Sequence, residues 1–250
     1  MTIQDYYENY KKSISTIIDS SLSEEDAAND IAICFNIATD YEIWLECIGD
    51  RLECLLYKNA IKVYQDALGC LLEGHYQSAF MGLRYFFERT LCGVFLSANE
   101  LELRTWARGE RDTYWTEIVG KEGKDTEQDK TKGEDTAISK SLFSEKYVNA
   151  YFPDLKDEIK HFRRMAMSVY RECSEFVHGN PQALVQIPDS LEYKKELLAL
   201  WCDKAVTIKR VIFFVFTMRY LQQMGEKEKS ELADTIREEF ITIKQIINQL

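Results

Sequence analysis

The sequence is poor in residues that interrupt helices. Only three prolines (Pro153, Pro181 and Pro188) and 11 glycines occur in 250 residues, so long stretches contain nothing that would stop a helix. It is equally poor in the ligands of a structural metal. There are three histidines (His75, His161, His178), and the seven cysteines (Cys34, Cys47, Cys54, Cys70, Cys92, Cys173, Cys202) are odd in number, scattered and without a CxxC pair. Inside apolar helical patterns a free thiol behaves as a small hydrophobe. Neither a metal nor another cofactor is expected. Long apolar runs are also missing, since a membrane helix needs about 18 or more such residues. The strongest run, Val211 to Met218, is bounded by Lys209, Arg210 and Arg219 and predicts a buried core helix. The opening MTIQDYYENYKK has no basic-then-apolar signal pattern. A cytoplasmic chain without a membrane partner is the expectation.

Basic charge is the remaining scarcity. Lys and Arg number 31 against 42 Asp and Glu, for a net charge of -11. Such a surface repels polyanions at long range, which excludes nonspecific coating of nucleic acid but leaves room for a small basic site.

What is present is helical periodicity. With 46% hydrophobic residues, the chain can bury a substantial core as one domain. From Ile31 to Leu96 apolar residues recur at intervals of three and four, as in Leu52, Leu55, Leu56, Ala60, Val63 and Ala67, which predicts a helix face. Gly74 separates two stretches, and the second, from near His75, carries the stripe Ala79, Leu83, Phe86, Phe87, Leu91 and Val94. The two predict a helical hairpin. Gly120 to Thr136 contains no apolar residue and predicts a mobile insertion loop, because nothing in it can offset chain entropy by burial. After Pro153 a helix is predicted through DLKDEIKHFRRMAMSVYRECSEFVH, stopped by Gly179 and Pro181 with His178 in the last turn. A long helix from about Ser190 to Met224 and a charged amphipathic one from about Glu226 to Leu250 complete an all-α bundle.

One constellation stands out. Arg171, Glu175 and His178 are spaced by four and three residues, so they share one stripe of a helix. Arg171 and His178 are two turns apart, about 10 Å along the axis, a span suited to gripping a phosphodiester. Cleaving RNA by in-line attack of the 2′-hydroxyl requires a proton acceptor, a proton donor and positive charge on the phosphorane. Histidine and arginine supply these without a metal. A histidine in a last helical turn also commonly just caps carbonyls, and the ordinary reading of Arg84 and Glu88, four apart on the hairpin helix, is an intrahelical ion pair.

The segment YRECSEFVHGN, with six residues between Arg171 and His178, resembles the Arg-x(4 to 6)-His signature of the HEPN superfamily of small helical proteins. The stretch EGHYQSAFMGLRYFFERTL, with Gly74, Ala79, Arg84 and Glu88, is similar to an earlier helix of that superfamily. The resemblance implies a HEPN-type bundle, here with additional N- and C-terminal helices. It further implies a homodimer acting as a metal-independent endoribonuclease in a toxin-antitoxin or antiviral system, with RNA as substrate and an antitoxin or other defence-system protein as partner. Arg171 and His178 become the catalytic pair, and Asn180, Ser174, Tyr170, Glu175, Arg84 and Glu88 the supporting residues. The residue after the arginine is frequently Asn or Asp in that signature; here it is Glu172, and an acid near a phosphate repels it. The alternative of a different class is a catalytically silent helical adaptor that dimerises and binds a partner protein or a nucleotide.

Overall fold

The structure, a computed structural model, describes residues 2–120 and 140–250. Apart from Gly120, the expected insertion loop therefore lies outside the described residues. Among the described residues there are twelve α-helices and no strand: α1 (Ile3–Ser23), α2 (Glu25–Ile48), α3 (Cys54–Leu72), α4 (Tyr76–Leu96), α5 (Glu100–Ala107), α6 (Trp115–Val119), α7 (Glu145–Tyr151), α8 (Ile159–Val177), α9 (Pro181–Leu184), α10 (Lys195–Tyr220), α11 (Glu226–Phe240) and α12 (Lys244–Ile247). The all-α class follows directly. None of these helices is long and apolar enough to cross a membrane.

Local chemistry accounts for the boundaries. Thr2 and Asp5 form a reciprocal capping box at the start of α1, and Asn99 and Ser144 cap α5 and α7 through their side chains. The periodic stretch from Ile31 to Leu96 resolves into α2, α3 and α4. Its breaks fall near Gly49 and Gly74, whose positive φ values of 79° and 80° suit glycine. The expected helix after Pro153 begins instead with a 3-10 turn over Pro153–Leu155 that buries Leu155, and α8 starts only at Ile159. The C-terminal stretch read as one helix is two, α11 and α12, interrupted at residues 241–243.

The residues, rather than whole helices, group into two units. One comprises the chain up to Tyr41, Ala60–Phe87 and Val169–Lys209. Its core is a run of buried aromatic rings: Tyr41 packs on Phe86 at 5.2 Å, Phe86 on Tyr64 at 4.8 Å, and Tyr64 on Trp201 at 5.8 Å. Here α3 and α4 approach so closely that a Cβ added at Gly82 would lie 2.7 Å from the Cβ of Ala67. The backbone N–H of Lys194 donates to the Tyr76 hydroxyl at 2.6 Å, tying the start of α10 to the start of α4.

The other unit comprises Glu42–Asn59, Glu88–Ser168 and Arg210–Leu250. Phe162 and Phe214 lie parallel at 3.7 Å, and Trp44 and Tyr57 both pack on Phe216, at 5.5 and 5.1 Å. Within this core the Tyr220 hydroxyl donates to Glu53 at 3.1 Å and contacts the Tyr57 hydroxyl at 2.8 Å. Burial, then the Glu53 carboxylate, pushes the Tyr220 hydroxyl well above the usual phenol range.

Candidate functional site

All the residues singled out around the end of α8 belong to the first unit, with one exception. Glu88, one turn beyond Arg84 on α4, falls in the second.

The end of α8 is built by its own sequence. The N–H of His178 closes the last helical bond on the carbonyl of Ser174 at 2.9 Å. Gly179 turns the chain with φ +67°, and the N–H of Asn180 returns to the carbonyl of Glu175 at 3.0 Å. This six-to-one bond around a left-handed glycine is the Schellman stop. His178 thus caps the helix, one position beyond the last turn in which it was expected. Asn180 then opens α9, its side-chain oxygen accepting from the N–H of Gln182 at 3.1 Å ahead of Pro181 at the first helical position.

A neighbouring helix supplies what the α8 stripe lacks. Phe80 of α4 and Phe176 of α8 stack in parallel, ring centroids 3.9 Å apart, and the Gln77 side-chain amide donates to the Phe176 carbonyl at 3.3 Å. These two contacts fix α4 against the C-terminal end of α8, and they bring Arg84 across. One terminal nitrogen of Arg84 donates to the Tyr170 hydroxyl at 2.6 Å, its guanidinium lies 4.7 Å from the Tyr170 ring centroid, and the other terminal nitrogen lies 3.4 Å from Nε2 of His178. A guanidinium only donates, so Nε2 is the acceptor in this contact.

The other side chains sort by position. Arg171 and His178 are both exposed, and seven residues turn an α-helix through nearly two full turns, so they lie on one stripe. No hydrogen bond or ion pair among the described residues holds the Arg171 guanidinium, and it is not paired with half-buried Glu175. Ser174 donates its hydroxyl to the carbonyl of Tyr170 at 2.6 Å, a bond within its own helix.

Glu172 points toward α10, where Lys204 takes it as an ion-pair partner and also contacts Asp203 at 3.1 Å. Burial opposes the Lys204 charge, but hydrogen bonds to Glu172 and Asp203 outweigh it and hold the ammonium above the ordinary lysine pKa. The acid that would repel a phosphate is thereby neutralised on another side of α8. Lys204, Phe80 and Gln77 were not among the residues expected here. Of the remaining histidines, His75 is hydrogen-bonded to the Tyr10 hydroxyl at 2.8 Å and His161 belongs to the second unit. Among the described residues no group of three or more His, Cys, Asp or Glu is arranged to hold a metal ion.

Set against known proteins, the chain matches no family model, no curated protein and no solved structure.

Proposed function

We propose that the chain is a metal-independent endoribonuclease of the HEPN kind, with the end of α8 as its catalytic centre. The observation that carries this is the convergence of Arg84, from 94 positions earlier in the chain, on the imidazole of His178 at an exposed helix end. Arg171 stands on the same face. Two guanidinium groups and one imidazole are a set that in-line cleavage uses. The 2′-oxygen of a ribose loses its proton to a base and forms a bond to phosphorus. The bond from phosphorus to the 5′-oxygen breaks, and that oxygen takes up a proton. His178 handles proton transfer, while Arg84 and Arg171 bear on the negative charge of the phosphorane.

One imidazole does not readily take and give a proton at the same phosphate, so the reading includes a homodimer that pairs two such helix ends. In a cell, an antitoxin or another defence-system protein would be the natural restraint on such an activity. A second reading, the silent helical adaptor, is favoured by the apolar side chains beside the site: Leu184 is 42% exposed and Val185 87% exposed, a surface suited to a partner protein.

The test is cleavage of single-stranded RNA by purified protein in chelator, with growth on expression and light scattering alongside. Loss of a general acid or base costs about 100- to 10,000-fold, so His178→Ala is expected to abolish visible cleavage and relieve any growth arrest. Arg84→Ala and Arg171→Ala should each lose most activity with the fold intact. Cleavage that survives His178→Ala sinks the assignment of the centre. A wild-type protein that dimerises but neither cleaves varied RNAs nor slows growth is the adaptor.

A further inference from the structure

We propose that the second unit carries a separate binding site for a nucleoside phosphate, formed by two adjoining cavities that share Lys146. The first, about 450 Å³, is walled by Lys146, Lys156, Lys160 and Arg163 together with Glu145 and Asp157. Its floor is apolar, with Phe143 and Ile159 buried beneath the charged rim. Four cations against two carboxylates invert the balance of a chain that carries 31 basic and 42 acidic residues.

Internal pairing leaves much of that charge available. Lys156 and Glu145 pair with each other at 3.0 Å. Arg163 donates through Nε to the carbonyl of Val119 at 2.9 Å, which anchors its side chain in the wall. Lys146 and Lys160 are exposed and make no ion pair among the described residues, so they face Asp157 as the one unpaired acid of the cavity. Such concentration of ammonium and guanidinium groups around a concavity is what a phosphate ester recognises.

The second cavity supplies the complementary half. It measures about 380 Å³ and is lined by Phe95, Ala98, Ala150 and Tyr151 together with Lys140, Lys146 and the Glu102–Arg111 ion pair. The Tyr151 ring is held from one side by the Arg219 guanidinium, 4.3 Å from its centroid. A flat aromatic body suits this lining, because rings stack on aromatic side chains with little demand for directed hydrogen bonds. Both volumes fall within the roughly 300–1,000 Å³ of small-molecule sites. A cationic cavity beside an aromatic one, joined through one lysine, fits a ligand with a phosphate at one end and a base at the other. That chemistry is shared by a free nucleotide and by the 5′-phosphorylated end of a strand.

The experiment is calorimetric titration of the full chain, in chelator, with adenosine monophosphate, adenosine, inorganic phosphate and a 5′-phosphorylated dinucleotide. The monophosphate should bind, and adenosine and inorganic phosphate should each bind at least about tenfold more weakly, the loss expected when a charged hydrogen bond or a stacked base is removed. The double variant Lys146→Glu, Lys160→Glu should weaken binding by about tenfold or more, with Lys146→Gln, Lys160→Gln as the milder control and a thermal melt to show both folded. His178→Ala should bind like wild type, which separates this site from the α8 centre. A dinucleotide bound more tightly than the monophosphate assigns the strand end, equal affinity assigns the free nucleotide, and either supports the site. Failure of every phosphate ligand to bind at millimolar concentration overturns it. So does affinity unchanged by charge reversal, or inorganic phosphate binding as tightly as the nucleotide.

Discussion

Arg84 is the residue on which the α8 centre turns, and its position depends on an acceptor that is not itself charged. The Tyr170 hydroxyl takes a 2.6 Å hydrogen bond from the guanidinium and the ring supports it from below. Tyr170→Phe keeps the ring and removes the acceptor. Loss of a hydrogen bond to a charged group weakens an interaction by about 1.5–3 kcal/mol, so RNA cleavage is expected to fall by roughly tenfold or more. The melting temperature should move little, since Tyr170 is only half-buried. Cleavage by Tyr170→Phe equal to wild type would show that Arg84 needs no such support. Part of this arrangement was legible in the sequence: the seven-residue spacing of Arg171 and His178, and the Gly179–Asn180–Pro181 stop, are local signals. The approach of Arg84 was signalled only through the family resemblance and not by any spacing, because 94 residues separate it from His178 and the Phe80–Phe176 stack that joins their helices is a product of packing. Read along its own helix, Arg84 has Glu88 as its obvious neighbour. The partner of Glu172 was hidden for the same reason, as Lys204, which pairs with it, stands on α10.

At the level of elements, the hairpin of α3 and α4 was readable because its apolar stripe keeps a strict rhythm on both sides of Gly74. The breaks within α11–α12 and after Pro153 were not, because charged amphipathic sequence such as residues 226–250 continues a helical pattern through a bend that tertiary burial imposes. Ile243 and Ile246 are buried there while Ile241 is 72% exposed. The closeness of α3 and α4 is a testable property of the hairpin. Gly82→Ala would set two methyl groups 2.7 Å apart, and overpacking of this kind costs about 1–3 kcal/mol. The better helix propensity of alanine returns about 1 kcal/mol. A lowered melting temperature is therefore expected, by a few degrees at about 2–4 °C per kcal/mol in a chain of this size. Adding Ala67→Gly removes the clashing methyl and should restore most of the loss. Its nearest remaining neighbours, Val63 O at 3.4 Å and Ala67 Cα at 3.5 Å, are at ordinary contact distance. Equal stability of Gly82→Ala and wild type would mean that the two helices separate at little cost.

For the molecule as a whole, the charge of -11 limits how the proposed RNA substrate can be held. Binding to a single strand through Z cations varies with salt with a slope of about −0.7Z on logarithmic axes. If Arg84 and Arg171 are the cations engaged, the slope is about −1.4 or shallower. Filter binding of His178→Ala to RNA across a salt series checks this, and a slope of about −4 or steeper would reveal a wider basic surface than the α8 end provides. The chain passes between the two units at 41–42, 59–60, 87–88, 168–169 and 209–210, and each passage lies inside a helix, in α2, α3, α4, α8 and α10 respectively. No linker joins the units, so no single recombination could donate one of them to another gene, and no truncation could express one without severing helices.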